Sequence, residues 1–324
     1  MHTTDSHQPA PGTGETAPRV SIGLPVYNGD AFLEQSIDSL LGQTYTDIEL
    51  IIADNASTDR TEAICRERAA RDSRVRYQRH SENMGPVYNF NCVVAMARGE
   101  YFKWAAHDDM HDATHVARCV EILDAHPEVV LVHSRTQDVD ADGNVLARKN
   151  FGLDVNVASA PERFRELVRQ DYTIEALFGL LRIDVLRRTR LLSNYADCDR
   201  VLLAEVGLAG RIQEIPEYLF IHRQHDNRSV ARYRSRQTRS AWFDPSKEGK
   251  PVFPYTREFL GFLTAIGRST LSLGEKVQCQ AHMLKWAVHN AANLTEDLTF
   301  ALRHVLRPLK HRLVGPPKRN GGGE

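Results

Sequence analysis

Between residues 19 and 133, short apolar runs alternate with one-faced helical patterns, and that alternation narrows the fold more than any other feature of the chain. Arg19 to Pro25 (Arg-Val-Ser-Ile-Gly-Leu-Pro) is apolar and β-branched and stops at proline, so it reads as a buried strand. Val26-Tyr27-Asn28-Gly29-Asp30 is a loop with Asn-Gly as its turn signal. Ala31 to Gln43 follows with Phe32, Leu33, Ile37, Leu40 and Leu41 on one helical face. A second strand, Ile48 to Ala53, runs into the polar loop Asp54-Asn55-Ala56-Ser57-Thr58-Asp59, which can cap a helix from Arg60 to Asp72. Val75 to Gln78 is a third, shorter strand. Asn83-Met84-Gly85 then turns into a helix from Val87 to Arg98. A fourth strand starts at Tyr101 and a fifth covers Val129 to His133. Four strand–helix alternations in about 115 residues predict an α/β fold, a mostly parallel sheet with helices on both faces.

In such a sheet the carboxyl ends of the strands share one edge, and open α/β folds bind ligands there. Three of these ends are polar: Tyr27-Asn28, Asp54-Asn55 and His107-Asp108-Asp109. Adjacent carboxylates repel. Asp108-Asp109 is therefore either a solvated acidic turn or a seat for a hard cation such as Mg²⁺ or Mn²⁺.

Composition excludes several classes. The net charge is −1 over 324 residues, so global charge gives no reason to expect a nucleic-acid partner. The five cysteines (Cys65, Cys92, Cys119, Cys198 and Cys279) form no CxxC pair, which argues against zinc and for reduced thiols. No apolar run reaches the roughly 18 residues of a membrane span. Residues 1–18 are polar and lack the apolar core of a signal peptide, so a disordered tail on a cytoplasmic protein is expected.

The second half is less regular. Asp138-Val139-Asp140-Ala141-Asp142-Gly143-Asn144 has the look of a calcium loop without its terminal glutamate; Asp-Gly between apolar flanks predicts a hairpin instead. Pro161 to Gln170 reads as a helix, Thr173 to Leu186 is mixed, and Asp197-Cys198-Asp199-Arg200 opens a helix. Ile212 to Ile221 is extended. Arg232 to Arg239 holds four arginines, Trp242 to Tyr255 reads as a connector, and Glu258 to Ile266 and Leu273 to Leu306 read as helices. Residues 303–314 are basic and apolar, a pattern that can lie on an anionic membrane surface, pack on the main domain as a solvated helical face or form a dimer contact, and residues 315–324 read as a disordered tail.

Taken in order, Val20 to Asn28, Ser36 to Thr44, Asp54 to Asp59, Asn83-Met84-Gly85, Ala97 to Tyr101 and His107-Asp108-Asp109 resemble the family 2 glycosyltransferases of the GT-A fold. The resemblance covers about residues 19–133 well and 134–230 more loosely. It implies a GT-A domain over 19–230, with a donor-binding half (19–133) and an acceptor-binding half (134–230), followed by a helical region over 231–314. It also implies a nucleotide-sugar donor, with uridine favoured over thymidine or guanosine, and a divalent cation, Mn²⁺ or Mg²⁺. Asp109 would be the direct metal ligand and Asp108 would contact the donor ribose. Pro25, Tyr27, Asp54 and Asn55 match the base pocket, and Asn83 lies where it could line it. The family often has a second aspartate where Asn55 stands. Phe90 occupies a position where many members carry arginine, and His107 replaces an acidic residue, so it reads as a solvated loop residue.

Members that invert the anomeric centre use one carboxylate at a helix start as general base, and Asp199 matches it, with Asp197 as the neighbouring alternative. Cys198 has no base partner in the sequence. His225 matches a histidine that approaches the metal or diphosphate, and Arg223 offers a guanidinium fork suited to phosphate. The expected acceptor is a glycan or lipid-linked saccharide, in surface or extracellular polysaccharide assembly. The Gln-x-x-Arg-Trp signature of processive synthases is missing, which favours adding one sugar per binding event. Three rivals are weaker. A nucleotidyltransferase needs a Gly-rich basic loop after the first strand, and a dinucleotide oxidoreductase needs G-x-G-x-x-G there. A glycan-binding scaffold on a degenerate fold would not need both Asp109 and Asp199.

Overall fold

The computed structural model describes residues 17–153, 155–169, 172, 174–226, 228, 235–244, 250, 252–300 and 302. Residues 1–16 of the expected N-terminal tail, residues 232–234 of the arginine-rich stretch, the basic segment 303–314 and the tail 315–324 lie outside the described residues.

Strands β1 (Val20–Val26), β2 (Ile48–Asp54), β3 (Val75–Arg79) and β4 (Tyr101–Trp104) lie parallel in the order β3-β2-β1-β4. They are joined by helices α1 (Leu33–Leu41), α2 (Thr61–Arg71) and α3 (Pro86–Met96). The strand period of two separates two cores. Val20, Ile22, Leu24, Leu50 and Ile52 meet Leu33, Ile37 and Leu40 of α1 on one face. Ile51, Ala53, Phe102 and Trp104 meet Val93 and Val94 of α3 on the other. Gly23 is required for this second contact, because a Cβ there would stand 2.6 Å from Val93 Cγ2.

Beyond β4 the chain forms β5 (Met110–His111), α4 (His115–Ala125), β6 (Val129–Val139) and β7 (Val145–Lys149). Next come α5 (Ala160–Leu167), a 3-10 turn (Glu175–Phe178), β8 (Leu180–Arg182), α6 (Ile183–Arg188), α7 (Cys198–Ala209) and β9 (Arg211–Arg223). The sheet order is β3-β2-β1-β4-β8-β6-β9-β5, with β7 on β6. The sheet is thus the expected α/β type, but β5, β7 and β8 run antiparallel to their neighbours. The expected Asp-Gly hairpin is the β6–β7 connection. The fifth strand extends to Val139, six residues past its apolar run, because β9 pairs along its length. Helix α8 (Arg236–Phe243) falls partly in the stretch read as a connector. Helices α9 (Pro254–Arg268) and α10 (Leu273–His289) pack Phe262, Ala265, Cys279, Met283 and Trp286 into the same core as α5 and α7.

At the opposite edge of the sheet from the polar strand ends, Glu49 is buried and accepts from Ser21 Oγ (2.6 Å), the Arg98 N–H (2.9 Å) and Arg76 (2.7 Å). Burial alone would raise its carboxyl; the bonds from Ser21, Arg76 and Arg98 outweigh burial and hold it below the usual range. A depressed folded value means the stabilisation is present above the unfolded value and is lost as pH falls through the folded one. Glu49→Ala is expected to cost about 2–3 kcal/mol at neutral pH by leaving these donors unpaired, and to flatten the acid limb of a Tm-versus-pH curve.

Candidate active site

Two strand-end loops are laced together. Asn28, at φ 51°, donates its N–H to Ser57 Oγ (2.9 Å) and accepts from the Thr58 N–H through Oδ1 (2.8 Å). The Gly29 N–H reaches Thr61 Oγ1 (3.0 Å) and the Asp30 N–H reaches Asp59 Oδ2 (3.1 Å). Below them Asp54 is fully buried, one oxygen accepting from the Ser57 N–H (2.8 Å) and the other from the Tyr77 hydroxyl (2.8 Å). Asn55, also buried, sends its N–H to Val26 O (2.9 Å) and its side-chain amide to Asn83 Oδ1 (2.8 Å), and accepts from the Met84 N–H (2.8 Å). The structure therefore brings Asp54, Asn55 and Asn83 together beyond the ends of β1 and β2, and Pro25 is buried in the last turn of β1. Tyr27 stands 45% exposed on this rim, a free aromatic face.

The acidic pair forms the second part. After Asp109 the chain doubles back as β5, whose Met110 and His111 pair with Ile221 and Phe220 of β9. That pairing delivers the end of β9 to the carboxylates. The Arg223 N–H donates to Asp109 Oδ1 at 2.9 Å, and His225 Nε2 lies 2.9 Å from Asp108 Oδ2. Burial and then the charge of Asp108 push the Asp109 carboxyl well above the ordinary range. Burial would raise Asp108 as well, but the pull of His107 and the bond from His225 outweigh it and hold Asp108 at about 2. Instead of being a free loop residue, His107 has its ring seated against Gly29, where an added Cβ would lie 2.5 Å from its Cδ2. Behind Asp109, Lys103 is fully buried, donates to Phe178 O, and is pushed down to about 7 chiefly by burial.

Arg223 does not face the solvent-side cleft as a phosphate fork would. Its guanidinium is buried, donating to Asp108 O (3.1 Å), Ala141 O (2.7 Å) and Gln35 Oε1 (2.6 Å), and it stacks 4.5 Å over the Phe32 ring. Phe32 also lies 4.9 Å from the His225 ring. Arg223 is thus a strut that fixes the loop bearing the acidic pair. Arg223→Lys, which keeps charge but loses the fork, is expected to destabilise the fold by about 3 kcal/mol by chemical denaturation, because several buried acceptors lose their donor.

The pair fits a hard cation. Asp109 has a charge that burial and Asp108 disfavour, which a cation would relieve. His225 Nδ1 is buried and without a partner, and in the tautomer that gives Nε2–H to Asp108 it would present a lone pair. Among the described residues no three or more His, Cys, Asp and Glu side chains are placed to hold a metal alone. A cation here would take further oxygens from a bound diphosphate.

Asp199 sits apart, in the first turn of α7, bonded by Oδ1 to the Arg200 N–H (2.8 Å). The helix N-cap is Asp197, at φ 64°, paired with Arg239 at 3.3 Å. Burial and then the charge of Asp197 raise the Asp199 carboxyl to about 6, although one edge remains open to solvent. Cys198 is buried, and burial with neighbouring Asp199 pushes its thiol up, away from nucleophilic character. Sequence reasoning missed Tyr77, Phe32, Gln35 and Lys103. Only Lys103, a lone charge inside an apolar strand, carried a local signal.

A family model described as "Glycosyl transferase family 2" matches residues 21–187. An uncharacterized glycosyltransferase of Rickettsia prowazekii is 36% identical over 107 residues, which is 33% of this chain and 32% of that protein. One from Haemophilus influenzae is 24% identical over 240 residues, 70% of this chain and 72% of that protein. The chain therefore spans only about a third of the length of the first of these relatives. Among solved structures, S. aureus TarS 1-349 in complex with UDP-GlcNAc aligns over 89% of this chain and 81% of its own, with TM-score 0.62 and 15% identity. The mannosyltransferase PcManGT from Pyrobaculum calidifontis, in complex with GDP-Man and Mn2+, aligns over 92% and 84%, with TM-score 0.53 and 17% identity. At these identities the structures speak to the fold alone, which is that of GT-A glycosyltransferases. With the family model spanning just over half of the 324 residues, the chain belongs to glycosyl transferase family 2.

Proposed function

We propose that the protein transfers one sugar per binding event, with inversion, from a nucleoside diphosphate sugar to a hydroxyl of a glycan or lipid-linked saccharide. The observation that carries this reading is the meeting of the carboxylates between β4 and β5 with the end of β9: Asp108 on His225, and Asp109 on the Arg223 N–H. Tyr27 offers its exposed face to the base, and the laced Asp54–Asn55–Asn83 loops fix the pocket's edge. Asp108, held ionised, accepts from the donor's ribose hydroxyls. Asp109 and His225 would hold Mn²⁺ or Mg²⁺, which when bound neutralises charge on the departing diphosphate. UDP is the favoured nucleotide; TarS is described with UDP-GlcNAc and PcManGT with GDP-Man and Mn2+.

Asp199 takes the acceptor hydroxyl proton as the hydroxyl oxygen attacks the anomeric carbon. A carboxyl raised to about 6 is a stronger base than a free aspartate and is still ionised at neutral pH. The test is a ¹H NMR time course with UDP-, dTDP- and GDP-sugars, using water as the acceptor of last resort. The expected first product from an α-linked donor is the β-anomer of the free sugar. Release of the α-anomer would overturn the inverting assignment.

A further inference from the structure

The outer face of α10 carries an apolar stripe, interrupted by the exposed Gln280. Its inner face is accounted for by Cys279, Met283 and Trp286, each buried in the core beside α9. On the opposite face stand Leu273 (80% exposed), Val277 (55%), Leu284 (70%) and Val288 (79%). At 100° per residue these four fall within a stripe about 60° wide. The stripe continues past Asn290. The Asn290 N–H bonds to Trp286 O and the Leu294 N–H bonds to Asn290 O, so the helical ladder carries through into residues 291–300. Ala291, Leu298 (59%) and Leu302 (59%) extend it in phase, with the exposed Thr295 between them.

Three properties decide what this face is for. It is narrow, as in a helix–helix seam, whereas a helix lying in a bilayer surface presents a broad apolar half. Among the described residues its flanks are mixed in sign, with Lys276 and Lys285 beside Glu275 and Glu296, so the described helix carries no basic collar that would draw it to anionic lipid. Its area also fits: six Leu and Val side chains at these exposures present on the order of 600 Å², close to the ~800 Å² per partner of a stable interface once flanking residues are added. A two-fold axis across the stripe would pair it with itself, since an isologous interface uses the same patch twice.

We propose that this face is the dimer interface of the protein, formed by α10, residues 291–300 and Leu302 of two copies packed along the Leu273–Val277–Leu284–Val288 stripe. The main packing partners of α10 are α5 and α9, whereas the nucleotide pocket is built on the ends of β1, β2 and β4.

The test is sedimentation velocity of the full chain across the micromolar range, beside Leu284→Glu/Val288→Glu. Wild type is expected to sediment as a dimer. The double variant is expected to be monomeric, with a dimer dissociation constant raised at least 100-fold, an unchanged circular dichroism spectrum and unchanged UDP affinity. Because the variant introduces charge only at exposed positions, loss of its fold would itself contradict the packing described. A monomeric wild type overturns the proposal. It is overturned equally if the face proves to be covered by residues 303–324 of the same chain, seen as cross-links within one monomer, or if monomers bind phosphatidylglycerol vesicles through it.

Discussion

Asp199→Asn is expected to lower kcat by about 10³-fold while leaving nucleotide affinity unchanged within a factor of two or three, because a general base contributes in the transition state and not to donor binding. The amide is nearly isosteric, so packing around α7 survives. In the wild type the active form is the carboxylate. The kcat/KM profile should therefore fall on the acid side through an apparent pKa near 6, the value to which burial and Asp197 raise this group. Stability moves the other way. A folded value raised from 3.8 to about 6 means that ionised Asp199 costs the native state free energy at neutral pH, a cost absent below the unfolded value. Removing the charge should raise stability at pH 7.5 by about 1–3 kcal/mol, discounted for the group's solvent-facing edge. A variant both slower and more stable marks a residue kept for chemistry. A slower and less stable one would assign Asp199 to the helix start alone.

The second large effect is expected at Asp109. Asp109→Asn should weaken Mn²⁺-dependent UDP binding by about 10²-fold and reduce turnover at least as much, since it removes the charge a cation would meet there. Metal-independent binding through Tyr27 and the laced loops should change little. This separates Asp109 from Asp108, whose carboxyl is already committed to His225. Equal loss with and without Mn²⁺ would mean that Asp109 supports the pocket's shape and does not hold a cation.

Much of the fold was legible because the information is local. The β1 and β2 runs alternate Val20, Ile22, Leu24 against Ile51, Ala53, and that alternation declares two cores before any long-range contact is known. Asp54-Asn55 and Asp108-Asp109 were legible as candidate site residues because each follows a strand at its carboxyl end. Arg223 was not. Its inward direction depends on the register of β9 against β6, which shifts at Ser134/Arg135 and again at Arg135/Thr136, so the face on which residue 223 lands cannot be counted from Ile212. The Phe32–His225 and Gln35–Arg223 contacts join residues about 190 apart in sequence and follow from the same pairing. The raised Asp199 carboxyl was equally hidden, because it arises from the burial of a residue that sequence alone shows only as a polar helix start.

The central claim is that the ends of β1, β2 and β4 form one cation-assisted nucleotide site. Calorimetric titration of the wild-type protein with UDP, dTDP and GDP, each with and without Mn²⁺, tests it most directly. The account predicts that one nucleotide, UDP, binds at least a hundred times more tightly with Mn²⁺ than without. Folded protein that binds none of the three, or binds them equally with and without the metal, would contradict it.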